Sequence, residues 1–139
     1  EGHAGVAALV ERLNKIYANS PAMWDDDYTG FEWIDASDGD HNLISYLRKG
    51  ADDNGNREVI VCVSNFAGNP HEGYRVGLPF GGEWVEILNT DAAEFGGSGV
   101  VNVGSIIAED TPWNGRPASA QLRVSPLGTL WLVPASQAR

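Results

Sequence analysis

The sequence predicts a mainly β protein, an antiparallel two-sheet β-sandwich preceded by one amphipathic α-helix. Apolar residues recur at helical spacing near the start of the chain, and beyond Gly30 their period changes to two. Turn-forming Gly, Asn, Asp and Pro residues then separate short apolar runs at regular intervals, which is the pattern of a sandwich or barrel. The longest apolar run, residues 58–66 (EVIVCVSNF), is apolar on both alternating faces, so we expect this strand to be buried on two sides.

The helix is predicted over residues 5–17. Its apolar face, named here the helix stripe, consists of Val6, Leu9, Val10, Leu13, Ile16 and Tyr17. Ser20 and Pro21 are typical of the N-cap and first position of a second short helical turn, which we expect to end near Trp24. Burial of six such side chains corresponds to about 9–18 kcal/mol, comparable with the stability of a whole domain, about 5–15 kcal/mol. The stripe therefore packs either on the sandwich or on a body that this chain lacks.

Eight strands are predicted near residues 31–35, 42–49, 57–66, 74–78, 83–89, 105–108, 119–125 and 129–133. The turn signal Asp53-Asn54-Gly55 predicts a tight hairpin between the second and third strands. Residues 74–78 and 119–125 alternate cleanly between apolar and polar, which predicts a sheet with one face in water. Other strands, of which 58–66 is the clearest, are apolar on both faces. They predict a second sheet whose outer face lies under further protein.

Charge and cysteine content exclude several classes of function. The chain has 9 basic and 19 acidic residues, a net charge of −10, and no Lys/Arg cluster. We therefore expect binding neither to nucleic acid nor to a membrane surface. Cys62 is the only cysteine and lies within the apolar strand, which predicts a buried, unreactive thiol and favours a reducing compartment. No apolar segment approaches the ~18 residues of a membrane span.

Residues that could carry chemistry are few. The histidines are scattered and, with one cysteine, give no zinc-ligand spacing, so we predict surface or turn positions for His3, His41 and His71. A glycosidase needs two facing carboxyl groups, one with a raised pKa. The pairs that could be nominated do not differ from ordinary loop acids: they are Asp91 with Glu94, and Glu109 with Asp110. We therefore expect no catalytic, cofactor or metal site in this chain.

The aromatic residues are more informative. Trp84 and Trp131 lie on predicted strands and are expected in the core. Trp113 lies in a polar turn, residues 111–117, and Trp33 lies on a predicted edge strand. Flat aromatic rings beside Asp, Asn and Glu suit sugar binding, because sugar rings stack on them, but interface packing uses the same residues. Trp33 and Trp113 are therefore candidates for either role.

Seven sequence motifs occur in order along the chain: LNKIY at 13–17, PAMW at 21–24, GFEWID at 30–35, VSNF at 63–66, GYRVGLP at 73–79, LNTD at 88–91 with GGSG at 96–99, and PWNGRP at 112–117. Together they resemble the C-terminal region of bacterial 1,4-α-glucan (glycogen) branching enzymes of the α-amylase superfamily. The similarity runs nearly from end to end. One departure is Asn114, where the family pattern leads us to expect histidine.

The resemblance implies that residues 1–28 are the last helix and exit segment of a catalytic β/α barrel. Residues 29–139 would be the C-terminal β-sandwich of α-amylase-like enzymes. The implied parent protein is a cytoplasmic, retaining glycosyltransferase of glycogen biosynthesis, which cuts an α-1,4 glucan and rejoins the piece as an α-1,6 branch. Its catalytic carboxylates belong to barrel segments upstream of this sequence. No position here corresponds to them, so the chain alone is expected to be inactive.

The resemblance therefore predicts a non-catalytic domain, without a cofactor, whose partners are the barrel of the same polypeptide and the parent enzyme's α-glucan. Separated from a barrel, the helix should fold back on the sandwich or pair with another copy through the helix stripe. An autonomous glucan-binding module is the main alternative, with Trp33 or Trp113 as the stacking platform. A general adhesion-type sandwich is the third.

Overall fold

A computed structural model describes residues 3–25 and 28–138. The chain begins with helix α1 (Ala4–Asn19) and the short helix α2 (Pro21–Trp24), and 3-10 turns occur at Tyr28–Gly30, Ala93–Phe95 and Ala135–Gln137. The strands are β1 (Phe31–Asp38), β2 (Leu43–Ala51), β3 (Arg57–Asn65), β4 (His71–Leu78), β5 (Gly82–Asn89), β6 (Ile106–Ala108), β7 (Ala118–Val124) and β8 (Thr129–Pro134). The mainly β class, the leading helix, the second helical turn and all eight predicted strands are confirmed, and only their ends differ.

The strands form two antiparallel sheets. One has six strands in the order β1-β2-β3-β8-β5-β6, and the other pairs β4 with β7. The main core lies between them, and its largest fully buried side chains include Trp84, Leu47, Leu78, Leu122 and Leu132. The burial of Trp84 was predicted, whereas Trp131 is only partly buried and packs in a second cluster on the outer face of the six-stranded sheet.

The two strands that alternate cleanly in sequence, β4 and β7, pair with each other. Gln121 and Arg123 on their outer face are exposed, as expected. The expectation of a wet face is wrong at Ser119 and Ser125, which are 0% and 1% exposed. Ser125 lies just after β7 and its carbonyl accepts from Asn65 Nδ2 at 3.0 Å. Ser119 is covered by the 111–117 loop: its hydroxyl donates to Thr111 O at 2.7 Å, and a Cβ on Gly77 would lie 2.3 Å from Trp113 O.

Strand β3 is buried on both faces, as the sequence predicts, because every residue from Glu58 to Asn65 is buried. Its inward residues belong to the main core, whereas Ile60 on the outer face packs with Ala22 of α2 and Val133 of β8. Helix α2 lies against β2 and β3 and so covers part of the outer face. Gly50 of β2 permits this approach, because a Cβ there would lie 2.6 Å from Pro21 O.

Helix α1 is less completely covered. It contacts the 3-10 turn Ala93–Phe95 and helix α2, and Arg12 Nη2 lies 3.3 Å from Glu94 Oε2. It thus folds back against part of the sandwich, yet none of its residues is buried. Leu9, Leu13 and Ile16 are partly buried, but three members of the helix stripe remain open to water, with exposed fractions of 58% for Val6, 48% for Val10 and 54% for Tyr17. Within the described ranges 3–25 and 28–138, no helix has the length and apolar character needed to cross a membrane.

Candidate functional site

Trp33 lies on β1, at the edge of the six-stranded sheet, and is 54% exposed. It pairs in register with Tyr46 of β2, so both side chains stand on the outer face. The Trp33 ring meets Phe31 and Tyr46 edge-on, with centroids 5.0 and 6.0 Å apart, and Phe31 lies 5.1 Å from Tyr46. We call these three rings the aromatic edge. Their packing fixes Trp33 while leaving about half of it accessible.

Trp113 reaches the same edge of the sandwich from the 111–117 loop and is 48% exposed. Two backbone hydrogen bonds, of 3.0 and 2.9 Å, close a tight turn between Trp113 and Arg116. The Arg116 guanidinium then donates to Trp33 O at 3.0 Å and to Glu32 Oε1 at 3.2 Å. Both tryptophans singled out from the sequence therefore lie at one edge, joined through Arg116. Sequence reasoning gave no signal for this meeting, because the residues involved are far apart in the chain.

Polar groups at this edge are committed to internal bonds. Glu32 pairs with Lys49 and with Arg116, and these partners hold the pKa of Glu32 below its ordinary value, Lys49 contributing most. Asn114 Oδ1 accepts from Gly77 N at 2.8 Å, which ties the loop to β4. Asn114 has a φ of 52°, a left-handed conformation that asparagine tolerates well. The edge therefore offers a ligand or partner mainly aromatic faces, which suits stacking and packing alike.

The four candidate glycosidase acids have other tasks or lie open to water. Asp91 accepts hydrogen bonds from Ser98 N, Ser98 Oγ and Val100 N at 3.0, 2.7 and 2.8 Å. Burial tends to raise the pKa of Asp91, but these bonds outweigh it and the pKa is lowered. Glu94 pairs with Arg12 on α1. The second pair, Glu109 with Asp110, is exposed.

Glu86, which was not among the four candidate acids, is partly buried. Burial raises its pKa, although hydrogen bonds from Asn102 and Asn89 oppose the shift. Asn102 also bonds to the backbone of Arg123 at both its carbonyl, 2.8 Å, and its N–H, 2.9 Å. The Glu86–Asn102 pair thus anchors the loop before β6 to strand β7.

Two histidines that are distant in sequence meet in the structure. The rings of His41 and His71 are 5.3 Å apart, beside Tyr74. Asp38 joins the group by accepting from Tyr74 Oη at 2.5 Å and lying 2.8 Å from His41 Nδ1. His41 is exposed in a turn, as predicted, whereas His71 is partly buried on β4 and its Nε2 has no hydrogen-bond partner among the residues that the structure describes. Across the part of the chain that the structure describes, no cluster of three or more His, Cys, Asp or Glu could hold a metal ion.

Comparison with known families decides the affiliation of this fold. The family model for the α-amylase C-terminal all-β domain matches residues 33–135. The chain belongs to this family. The match begins at Trp33 on the aromatic edge and ends just after β8, so the family covers the sandwich and leaves both helices outside it.

The relatives found are 1,4-α-glucan branching enzymes named GlgB. The chain is 48% identical to the enzyme of Nocardia farcinica over 132 residues, 51% to that of Frankia casuarinae over 135, and 52% to that of Leifsonia xyli subsp. xyli over 132. These alignments cover 94%, 96% and 94% of this chain but only 17%, 16% and 18% of the relatives. The resemblance found in the sequence motifs is confirmed, and the chain spans about one sixth of the length of the curated relatives it matches.

Proposed function

We propose that this chain is the non-catalytic C-terminal domain of a cytoplasmic 1,4-α-glucan branching enzyme, and that it packs on and stabilises that enzyme's catalytic barrel. In this proposal the parent enzyme transfers α-1,4 glucan segments to form the α-1,6 branches of glycogen. The support is about 50% identity to branching enzymes over nearly all of the chain. The short share of the relatives that it spans leaves room for the barrel elsewhere in the parent polypeptide.

The half-covered helix stripe is the observation that carries the docking proposal. Val6, Val10 and Tyr17 on α1 are about half exposed although the helix already touches the sandwich. Apolar side chains of this size gain about 1.5–3 kcal/mol each on full burial, so a neighbouring surface would bury them favourably. Residues 1–28 would then be the last barrel helix and exit segment, and 29–139 the sandwich that braces them. The close approach of Pro21 and Ala22 to Gly50 holds α2 against β2 and supports this division.

The assignment of a non-catalytic role is supported by the carboxylates of the chain. Asp91, Glu94 and Glu86 are each held by partners that serve the local structure. We expect no branching when the 139-residue chain alone is incubated with amylose. New branches would be measured by debranching the product and counting the chains released. Measurable turnover by the chain would overthrow the non-catalytic assignment.

Stabilisation of the barrel is tested in the parent enzyme. Its melting temperature and branching rate are measured with and without these 139 residues. We expect the shortened enzyme to melt at a lower temperature and to lose activity as it unfolds, because the docking surface for α1 and the sandwich would be uncovered. A shortened enzyme that keeps both properties would contradict the proposed role.

Self-association of the separate chain follows from the same surface. Light scattering at several concentrations should show a concentration-dependent dimer, and Val10→Asp should restore the monomer. Ala4→Asp, at an exposed position on the face of α1 opposite the stripe, adds the same charge and is the matched control. A wild-type chain that stays monomeric at every concentration would contradict the expectation that the chain self-associates through the helix stripe.

An autonomous glucan-binding module is the second candidate, favoured by Trp33 and Trp113 lying exposed at one edge. Affinity electrophoresis through gels containing glycogen separates the two candidates. Retardation that Trp113→Ala abolishes would favour the binding module. Unretarded migration would favour the docking domain. Phe66→Ala is the control, since Phe66 is exposed and lies just beyond the C-terminal end of β3.

A further inference from the structure

Two Asn-Gly dipeptides occur in the chain, Asn54-Gly55 in the β2–β3 hairpin and Asn114-Gly115 in the 111–117 loop. Asparagine followed by glycine is especially prone to deamidation, because glycine has no side chain to hinder attack by its backbone nitrogen on the asparagine amide. The two dipeptides carry the same reacting groups. A large difference between their rates in the native chain would therefore come from the fold.

Asn54 lies at the exposed tip of the hairpin. Every residue from Asp53 to Arg57 is exposed, and the Asn54 side-chain amide makes no hydrogen bond to a residue that the structure describes. The turn is held from its base instead, because Asp52 Oδ1 accepts from the backbone N–H groups of Asn54 and Asn56 at 2.9 and 2.8 Å. The Asn54 amide is therefore free to rotate towards the backbone of the next residue.

The attacking nitrogen belongs to Gly55, whose N–H donates to Asp52 O at 2.9 Å. Deamidation requires this hydrogen bond to open. Because Gly55 is exposed, water replaces the lost partner and the opening costs little. A Cβ on Gly55 would have no atom within 4 Å, so the hairpin tip has room for the ring that forms.

Asn114, in contrast, is held by its side chain. Its Oδ1 accepts from Gly77 N at 2.8 Å, and its Nδ2 donates to Asp35 Oδ2 at 3.4 Å. Gly77 is buried beneath the 111–117 loop, so release of the Asn114 side chain would leave a buried N–H without a partner. Such a group is costly, and the Asn114 amide should therefore react slowly in the native chain.

We propose that Asn54 is a site of non-enzymatic deamidation in the native chain and that the fold protects Asn114. The Gly55 nitrogen gives its proton to water and attacks Asn54 Cγ. The new N–Cγ bond closes a cyclic imide, while the Cγ–Nδ2 bond breaks and Nδ2 leaves as ammonia after taking a proton from water. One water molecule then cleaves the imide: hydrolysis at Cγ gives aspartate, and hydrolysis at the main-chain carbonyl carbon gives isoaspartate. The net change is loss of ammonia and gain of water, without oxidation or reduction.

The products alter the hairpin in two ways. Either product adds a carboxylate beside Asp52 and Asp53. Isoaspartate also inserts a methylene group into the backbone between β2 and β3, whose pairing runs unbroken from Leu43↔Asn65 to Ala51↔Arg57. The base of this hairpin is bonded to the end of α2, because Ala51 N donates to Asp25 Oδ2 at 3.2 Å. Deamidation of Asn54 therefore changes charge and backbone next to the segment that links the helices to the sandwich.

The test incubates the 139-residue chain at mildly alkaline pH, both native and unfolded in concentrated urea. Mass spectrometry of its peptides follows the gain of about 1 Da that replaces an amide by a carboxyl group. In the native chain we expect Asn54 to deamidate at least about tenfold faster than Asn114, since the latter must first lose a buried hydrogen bond. In urea the two rates should agree within about threefold, because both side chains are then free. Asn54→Gln, which keeps an amide but lengthens the side chain, should remove isoaspartate from the hairpin peptide.

Three results would overturn the proposal. Equal native rates at the two sites, or a slower rate at Asn54, would show that the fold does not protect Asn114 selectively. A native chain without product at Asn54, when urea releases that product, would show that the hairpin itself protects the site. A tenfold difference that persists in urea would assign the selectivity to local sequence instead of the fold.

Discussion

Replacing Gly50 with alanine is expected to force α2 away from the six-stranded sheet. A Cβ on Gly50 would lie 2.6 Å from Pro21 O and 2.7 Å from Ala22 N. These are backbone atoms of α2, so a change of rotamer cannot relieve the clash. The helix must move outward by about 1 Å to regain ordinary contact distances of about 3.5 Å.

The magnitude follows from what α2 covers. Overpacking of this kind costs about 1–3 kcal/mol. The movement also opens the buried outer face around Ile60 and Val133, and it strains the 2.9 Å hydrogen bond from Arg48 Nε to Ala22 O, worth about 0.5–1.5 kcal/mol. We therefore expect Gly50→Ala to lower the free energy of unfolding by about 2–4 kcal/mol.

Urea denaturation followed by tryptophan fluorescence measures this loss. Gly68→Ala is the control, because a Cβ at Gly68 has no atom within 4 Å. Its free energy of unfolding should stay within about 0.5 kcal/mol of the wild-type value. If Gly50→Ala unfolds at the same urea concentration as Gly68→Ala, helix α2 does not cover the sheet in the way the structure indicates.

Three further measurements test the interior of the sandwich. Tyr74→Phe removes the 2.5 Å hydrogen bond to Asp38 and should cost about 1–2 kcal/mol at neutral pH. Burial tends to raise the pKa of Asp38, but hydrogen bonds from Tyr74 and His41 outweigh burial and the pKa is lowered, so the free energy of unfolding falls as the pH drops through that lowered pKa. Urea midpoints measured at successively lower pH should therefore fall less in Tyr74→Phe than in the wild-type chain, and an equal fall in both would refute this. Burial raises the pKa of Glu86, so the free energy of unfolding falls as the pH rises through that raised pKa and the buried carboxyl ionises. Glu86→Gln should lack this decline in the same urea measurements, and a pH profile identical to that of the wild-type chain would contradict the burial of Glu86. Burial also raises the pKa of the Cys62 thiol. The thiol should therefore react with a disulfide reagent only at the rate at which the chain unfolds, and fast labelling of the native chain would disprove its burial.

The sequence predicts the sheets well because side-chain alternation is a local property. In β3, apolar residues on both faces predict burial on both sides, and the structure confirms this burial. In β4 and β7, clean alternation marks two strands of a different sheet, and these two do pair. Each inference needs only a few consecutive residues and the period of a strand.

Partners that are distant in the chain could not be predicted in this way. The sequence left open what covers the outer face at Ile60, and the structure shows α2 there, an arrangement that depends on the missing side chain of Gly50. Trp33 and Trp113 were each recognised as exposed aromatic candidates, but their meeting depends on the bonds made by Arg116. Such contacts are made by the tertiary fold, and periodicity carries no information about them.

The docking role of the helix stripe is tested most directly by binding to the catalytic part of a branching enzyme from which these 139 residues have been removed. Isothermal titration compares the wild-type chain with Val10→Asp, in the stripe, and Ala4→Asp, on the opposite face of α1. We predict that the wild-type chain binds, that Val10→Asp raises the dissociation constant by at least about tenfold, and that Ala4→Asp changes it less than about twofold. Equal affinity of Val10→Asp and the wild-type chain, or no binding by either, would contradict the docking role.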